Sequence, residues 1–582
     1  MSKQKSLAFL LIILAVASFF RLWHITETPR GLYPDEAMNG TNAQEAIRTG
    51  SYKIFYPENN GREGLFINIQ SLSLRIFGNE PWALRVVSAI FGILTVLGLY
   101  LMTRELLRKT SVYHERIALF AAFFLATLFW HINFSRIGFR AITVPFLLVW
   151  SFYYVFRMLH ELEEGDEKLP KAEGFAVLAG IIYGLGFHTY IAYRVTPPLL
   201  LLLFCIGWQK YKAGILKKCF PCLFVLFLFA AFVSALPIGY YFLNNPADFS
   251  GRAAQVSVLA SATPAHDLLL NAAKTYGMFF WIGDYNWRHN YAGAPALWWP
   301  MAILFAMGLL LSISRLFQNP NQIQNSNDRK EIRRGAWSLG LVAFRNIFTT
   351  PYGLLLVWFF LLSVPSVISN EGLPHALRTI GMIPPTMIFA ALGIDLLMRK
   401  GRMLHQQILT AVVAKFPDLE EQIKRIGSEF RVLVLAFLVV ISIFAYRQYL
   451  LHWASSPYAA EAFSENYTSL GKYMRLLPDT THKYVIVNAD GVEVRGIPMP
   501  AQPIMFLMGE GPITHGQVSP RNVHYVLPDE VRNLSLQNLP AGETVFIMLE
   551  MKGTLRNELK SVIPSITYEE IAGRLLVGKV TK

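Results

Sequence analysis

Five polar clusters carry residue types suited to acid–base or phosphate chemistry, and each stands at the end of a long apolar run. In GLYPDEAMNG, Asp35 and Glu36 follow Pro34 directly. A carboxylate held there beside the membrane surface suits proton transfer, and it equally suits capping a juxtamembrane helix. Farther along the same loop, NNGREGLFINIQSL sets Arg62 and Glu63 before an apolar stretch expected to return to the bilayer surface. WHINFSRIGFRAITVPF carries Arg136 and Arg140 in a short turn. Guanidinium groups four apart on a helix share a face and can fork around phosphate oxygens, whereas snorkelling to lipid headgroups is the plainer role. YGLGFHTYIAYRVTPP contributes His188, Tyr190, Tyr193 and Arg194. Ionisable groups at such depth are expensive and point to function, although a lone membrane His is often an interhelical donor. FFWIGDYNWRHNYAGAPAL sets Asp284, Arg288 and His289 among Trp281, Trp287, Trp298 and Trp299, a mixture that suits a sugar site or an interfacial aromatic belt. SNEGLPHALRTIGMIPP adds Glu371, His375 and Arg378, with a helix start at Pro374 as the plain alternative.

The elements that must position these groups follow from composition. Of 582 residues, 53% are hydrophobic and 16% charged, with a net charge of +14. Soluble proteins run about 25% charged, which argues against an ordinary cytosolic enzyme. Nucleic acid is not an expected partner either, because the basic residues punctuate apolar runs instead of clustering on polar stretches. Eleven runs approach membrane-spanning length: 6–24, 82–103, 117–135, 141–159, 174–192, 195–208, 220–242, 297–314, 351–369, 379–398 and 432–451. Lys3 and Lys5 put the N-terminus on the cytoplasmic side, and every connection that then falls inside is Lys/Arg-bearing, starting with Arg104, Arg108, Lys109 and Arg116. Ala15-Val16-Ala17 resembles a signal cleavage site, but apolar residues continue past it, so an uncleaved helix is expected. With this orientation all five clusters face the outside. A transporter would carry its key polar residues near mid-bilayer on broken helices; an enzyme working at the outer surface on a phosphorylated lipid fits better.

Two long outer loops, 26–81 and 243–296, separate the spans, and the chain divides into a membrane domain (1–452) and an extracytoplasmic α/β domain (453–582). In the latter, YVIVNAD, IMFLM, VHYVL, TVFIMLE and RLLVGKV read as strands and 457–477 and 551–562 as helices. Residues 318–328 form an Asn/Gln-rich inside linker, and 402–430 an amphipathic helix along the inner surface. Cys205, Cys219 and Cys222 build no disulfide framework, and helix packing is the expected role of the Cys219/Cys222 pair.

Taken together, PDEA, GREGL, SRIGFRA, GDYNWRHN and LPHALRTIG resemble the bacterial polyprenyl-phosphate-dependent glycosyltransferases of the C superfamily, related to protein O-mannosyltransferases and lipid A aminoarabinose transferases, over roughly residues 5–450. The resemblance implies a mainly α, polytopic membrane protein of GT-C type with about eleven transmembrane helices and a small C-terminal α/β domain, located in the plasma (inner) membrane. It also implies an inverting transferase whose donor is a polyprenyl-phosphate sugar, with a membrane lipid carrier and an acceptor glycan, lipid or protein as partners. Asp35 matches the family's first-loop catalytic acid and would be the general base, with Glu36 as its neighbour in the pair. Arg136, Arg140, Arg194 and Arg378 are the donor-phosphate candidates; Arg62, Glu63, His188, Tyr190, Asp284, Arg288, His289, Glu371 and His375 are the substrate-binding candidates. The polyprenyl-phosphate sugar is the donor, and no nucleotide-sugar or divalent-metal requirement follows from the resemblance. In some relatives a carboxylate like Glu63 joins histidines around zinc, which makes Glu63 with His188, His289 or His375 a possible set. One departure stands out: relatives often carry an Asp five residues after the second-loop Arg, and here that position is Ala141. Readings from other classes are a flippase for a lipid-linked sugar and a membrane scaffold for cell-envelope glycan assembly.

Overall fold

Helix α1 (Lys3–Leu22) is long and apolar enough to cross a membrane and carries Arg21 in its last turn. Helix α2 (Pro34–Thr49) begins at a proline, whose fixed φ suits the first helical turn, and stops at Gly50, whose φ of 71° closes the helix in the left-handed region. A small hairpin, β1 (Phe55–Tyr56) with β2 (Arg62–Glu63), precedes α3 (Gly64–Phe77), which is apolar but too short to span. Helix α4 (Pro81–Leu107) is the next long span. The computed structural model describes residues 2–165, 168–216, 219–255, 258, 261–318, 336–413, 415, 420–571 and 575–582.

Among the described residues, seven helices are long and apolar enough to cross a membrane: Lys3–Leu22, Pro81–Leu107, Arg140–Glu164, Phe220–Asn244, Trp299–Leu316, Ile380–Val413 and Val432–Trp453. An eighth crossing is formed if Gly340–Thr349 and Pro351–Val367, bent by 83° at their junction, count as one. The remaining three expected spans are shorter helices, His114–Thr127, Leu169–Leu185 and Pro197–Lys212. The run 117–135 breaks at Leu128, whose extended backbone starts a second helix, Phe129–Phe134. Arg21 accounts for that break: its guanidinium donates to the carbonyls of Leu125 (3.1 Å) and Ala126 (3.0 Å), which have lost their helical partners.

Among the described residues, 402–413 and 420–430 belong to two longer helices and not to one separate amphipathic helix. The helix Ile383–Val413 carries its span onward, and Glu420–Tyr446 leads into the last span. The linker expected at 318–328 lies, apart from Gln318, outside the described residues. Cys219 and Cys222 are disulfide-bonded rather than packing thiols; Cys219 precedes the helix Phe220–Asn244, which lets its sulfur reach a residue three positions on.

The C-terminal unit is an α/β sandwich. Its strands are β3 (His482–Ile486), β4 (Glu493–Val494), β5 (Ile497–Pro498), β6 (Val523–Val526), β7 (Glu543–Met548), β8 (Thr567–Ile571) and β9 (Leu575–Thr581). The main sheet runs β6-β3-β7-β9-β8, with β3 parallel to β6 and β7, and β9 antiparallel to β7 and β8. Alternation serves both faces: Val485 and Ile547 pack against Leu470, Ile504 and Met508, while Ile486 and Phe546 pack against Leu555, Leu559 and Ile563. The expected strand IMFLM is instead a helix, Gln502–Met508, buried along its length between the sheet and α2. An apolar run this short carries no periodicity that separates strand from helix. Strand β8 was not anticipated, because TYEEI is an exposed edge without apolar alternation.

Candidate active site

Ten of the sixteen residues of α2 are buried, including Asn39, Asn42 and Gln44. A polar helix is buried only where its side chains find partners, and here they do. Asn39 donates to the carbonyl of Gly138 (3.0 Å) and accepts from Arg62 (2.8 Å); Asn42 accepts from Arg62 (2.5 Å) and donates to Glu58 (3.0 Å). Asp35, Asn39 and Asn42 follow helical spacing, so one stripe of α2 meets the hairpin β1–β2. Asp35 itself accepts from Asn59 (2.5 Å), which sits in the hairpin turn.

This stripe forms one wall of a cavity of about 340 Å³ lined by Tyr33, Asp35, Asn39, Asn59, Arg62, Phe139, Arg140, Ala141, Tyr190, Asn286, Arg288, His289, Glu371, His375, Leu377 and Arg378. All five sequence clusters reach it. Four guanidinium groups face two carboxylates, Asp35 and Glu371, so the cavity favours an anionic ligand. Arg288 lies over the Tyr33 ring (3.9 Å to the centroid), and Arg140 over Tyr190 (5.5 Å). Burial pushes the Tyr33 hydroxyl up to about 12, helped by Asp35 beside it. Burial, with Arg140 nearby, brings Arg62 down to about 10, which still leaves it a cation at neutral pH.

Two expected residues sit just behind the wall. Glu63 accepts from Arg140 (2.9 Å) and Arg194 (3.4 Å), fixing Arg140 at the cavity. Asp284 accepts from the backbone N–H groups of Asn286 (2.8 Å) and Ala376 (2.9 Å), and His289 Nδ1 lies 3.1 Å from it. It thereby ties the loop of residues 284–290 to the turn that carries His375. Burial holds His289 below its ordinary value despite Asp284.

Four other expected residues do not line the cavity. Glu36 is fully buried, accepting from Arg85 (3.1 Å), the Gly138 N–H (2.6 Å) and the Tyr33 N–H (3.4 Å). It fixes the start of α2 to the turn before Arg140 and, unlike Asp35, faces away from the cavity. Arg136 is also fully buried and donates to the carbonyls of Phe20 (3.1 Å) and Thr28 (3.0 Å). It shares no helix face with Arg140, because the chain leaves the helix at Phe134 and turns at Arg140–Ile142. Arg194 points away to the carbonyl of Phe249 (2.8 Å) as well as to Glu63, and His188 Nε2 meets the carbonyl of Ser234 (2.9 Å).

The zinc set built on Glu63 does not converge. Two guanidinium groups hold its oxygens, and His188 faces another helix. Among the described residues the side chains that could hold a cation are Asp284, His289 and His375, whose ligand atoms all lie within 4.8 Å of one another. Sequence reasoning missed Asn39, Asn59, Asn286 and Tyr33 at the cavity, and Arg85 beneath it. The 35/39/42 spacing and the Asn59-Asn60-Gly61 turn signature were the available signals for the first two.

The sequence model of the family described as dolichyl-phosphate-mannose-protein mannosyltransferase matches residues 65–238. No curated protein matches the chain. Among solved structures, apo ArnT from Cupriavidus metallidurans aligns over 99% of this chain and 98% of its own at 14% identity and a TM-score of 0.56. The same protein bound to undecaprenyl phosphate aligns over 100% and 98% at 13% identity and a TM-score of 0.52. The oligosaccharyltransferase AglB from Archaeoglobus fulgidus, in complex with an inhibitory peptide and a dolichol-phosphate, aligns over 100% of this chain and 74% of its own, at 15% identity and a TM-score of 0.46. The resemblance read from the motifs is borne out, and the chain is a multi-pass membrane protein with the GT-C fold of ArnT.

Proposed function

We propose that this protein transfers a sugar from a polyprenyl-phosphate carrier to an acceptor hydroxyl or amine at the extracytoplasmic face, inverting at the anomeric carbon. The observation that carries this reading is the convergence of Asp35 with Arg140, Arg288 and Arg378 on one cavity. The acceptor heteroatom attacks the anomeric carbon as the bond from that carbon to the phosphate oxygen breaks. The electron pair leaves with the polyprenyl phosphate, and the acceptor proton passes to Asp35. A phosphate leaves without needing a proton, so a single base suffices, consistent with Ala141 where relatives often carry a second acid. The arginines form charge-assisted bonds that strengthen as charge grows on the leaving phosphate. Glu371 and Arg378, 3.3 Å apart, and His289 offer hydrogen bonds to sugar hydroxyls. The ArnT structure bound to undecaprenyl phosphate supports a carrier of that class.

The test is to incubate membranes with a panel of radiolabelled polyprenyl-phosphate sugars, comparing wild type with Asp35→Asn. Wild type should consume one donor and release free polyprenyl phosphate, and Asp35→Asn should bind that donor but not turn it over. Sustained turnover by Asp35→Asn rejects Asp35 as the base. Movement of labelled lipid between leaflets without release of polyprenyl phosphate would instead identify a flippase.

A further inference from the structure

One arginine of the C-terminal unit bonds Glu58, the residue before the cavity-lining Asn59. Between β4 and β5 the chain turns on Arg495 and Gly496, both at positive φ (52° and 77°). Two left-handed central residues make the tight hairpin turn whose twist matches its strands, and a non-glycine residue persists there when its surroundings hold it. Arg495 Nε donates to Glu58 (2.6 Å), and its Nη2 donates to Glu45 (2.9 Å) near the end of α2. Val494 and Met499 pack on Met38 of α2, which seats the hairpin. Burial raises the Glu58 carboxyl, but the hydrogen bonds from Arg495 and Asn42 outweigh it and hold the group below its ordinary value.

Glu58 opens the turn that presents Asn59 to Asp35. Asn59 (φ 52°), Asn60 (φ 61°) and Gly61 (φ 79°) are three consecutive left-handed residues. Asn tolerates this region better than most residues, yet two in a row are held by context rather than by preference. Glu58 is anchored from two sides, by Arg495 and by Asn42 on α2, and the next residue donates to the Asp35 carboxylate. We propose that the C-terminal unit sets the orientation of Asp35, with Arg495 as a positioning residue that acts through Glu58 and Asn59. This rests on Asp35 being the base, and it gives the C-terminal unit a part in the reaction without placing any of its residues at the substrate.

The test uses the full-length protein in nanodiscs, with the donor from the panel that wild type consumes. Arg495→Ala should keep its melting temperature and its KM for that donor while kcat falls about 10- to 100-fold, the scale expected of a misplaced catalytic group. Arg495→Lys should recover most of the loss. The double variant Arg495→Ala/Asn59→Ala should be no slower than Asn59→Ala alone, and hydrogen exchange over residues 55–63 should quicken in Arg495→Ala. A kcat within about two-fold of wild type, multiplying effects in the double variant, or unchanged exchange over 55–63 would each overturn the proposal. If Arg495→Ala fails to fold, Glu58→Gln weakens the link the proposal runs through and leaves the Arg495–Glu45 pair in place; an unchanged kcat there overturns it equally. The exchange measurement needs no substrate. If Asp35→Asn stays active, the functional reading fails on its own, and the exchange data still decide whether Arg495 holds the turn.

Discussion

Cations that look alike in the sequence divide by what their guanidinium groups already bind. Arg136 donates to the carbonyls of Phe20 and Thr28 with no exposed surface, whereas Arg378 lines the cavity with Glu371 as its ion-pair partner. Arg136→Ala strands two buried carbonyls and should cost about 1–3 kcal/mol, seen as a lower melting temperature in detergent, while the folded fraction keeps its donor affinity. Arg378→Ala should do the reverse, leaving the melting temperature within a degree or two and weakening donor binding about 10-fold or more, as loss of a charge-assisted bond does. Equal loss of donor affinity in both variants would contradict this division. The residue types at the site were legible because ionisable groups beside apolar runs demand an explanation, and nine of the expected residues line the cavity. What could not be read was which of two neighbours faces it. Asp35 and Glu36 are adjacent on a helix, so about 100° of rotation separates a cavity group from one buried against Arg85, and that rotation is set by packing partners far away in sequence.

Elements were legible in proportion to their length and periodicity. Long apolar runs became helices throughout, while the break at Leu128 depends on Arg21, more than a hundred residues earlier, as the separation of 104 for its bond to Leu125 records. IMFLM is a helix because two surfaces bury it, and none of its own five residues expresses that. In the sheet, β3 and β6 bring His482 within 3.4 Å of His524, and Tyr484 stacks on the His524 ring at 4.3 Å. Burial, with His482 adding repulsion, lowers His524 from 6.5 to about 4. The folded chain therefore refuses a proton that the unfolded chain accepts between those values. The stability this group contributes is present above pH 6.5 and drains away as pH falls toward about 4. His524→Phe, which keeps the ring stack, should flatten the dependence of unfolding midpoint on pH across that window; an unaltered slope would show that other groups set it.

At the scale of the whole molecule, helix α2 is shared by two structural units. Thr41 donates to Gln502 (3.0 Å), Gln44 to the carbonyl of Phe506 (2.8 Å), and the Gly511 N–H to Gln44 (3.0 Å). Gly40 is the point of closest approach: a Cβ there would stand 2.4 Å from the Phe506 ring. Gly40→Leu should push Phe506 away, lower the melting temperature and slow transfer, while Gly239→Leu, at a position with open space, should change neither. Equal behaviour of the two variants would mean that α2 does not depend on this seat. No sequence pattern announces a contact between residues 461 apart, as Thr41 and Gln502 are, so this part of the architecture became legible only in three dimensions. That separation also imposes an order on biogenesis. Helix α2 leaves the ribosome 461 residues ahead of its covering helix, counted from Thr41 to Gln502, so in that interval ten residues destined for burial have no lid. A nascent chain can therefore have its early spans inserted in the bilayer while the seat of α2 is still unfinished, and the helix Gln502–Met508 completes it later.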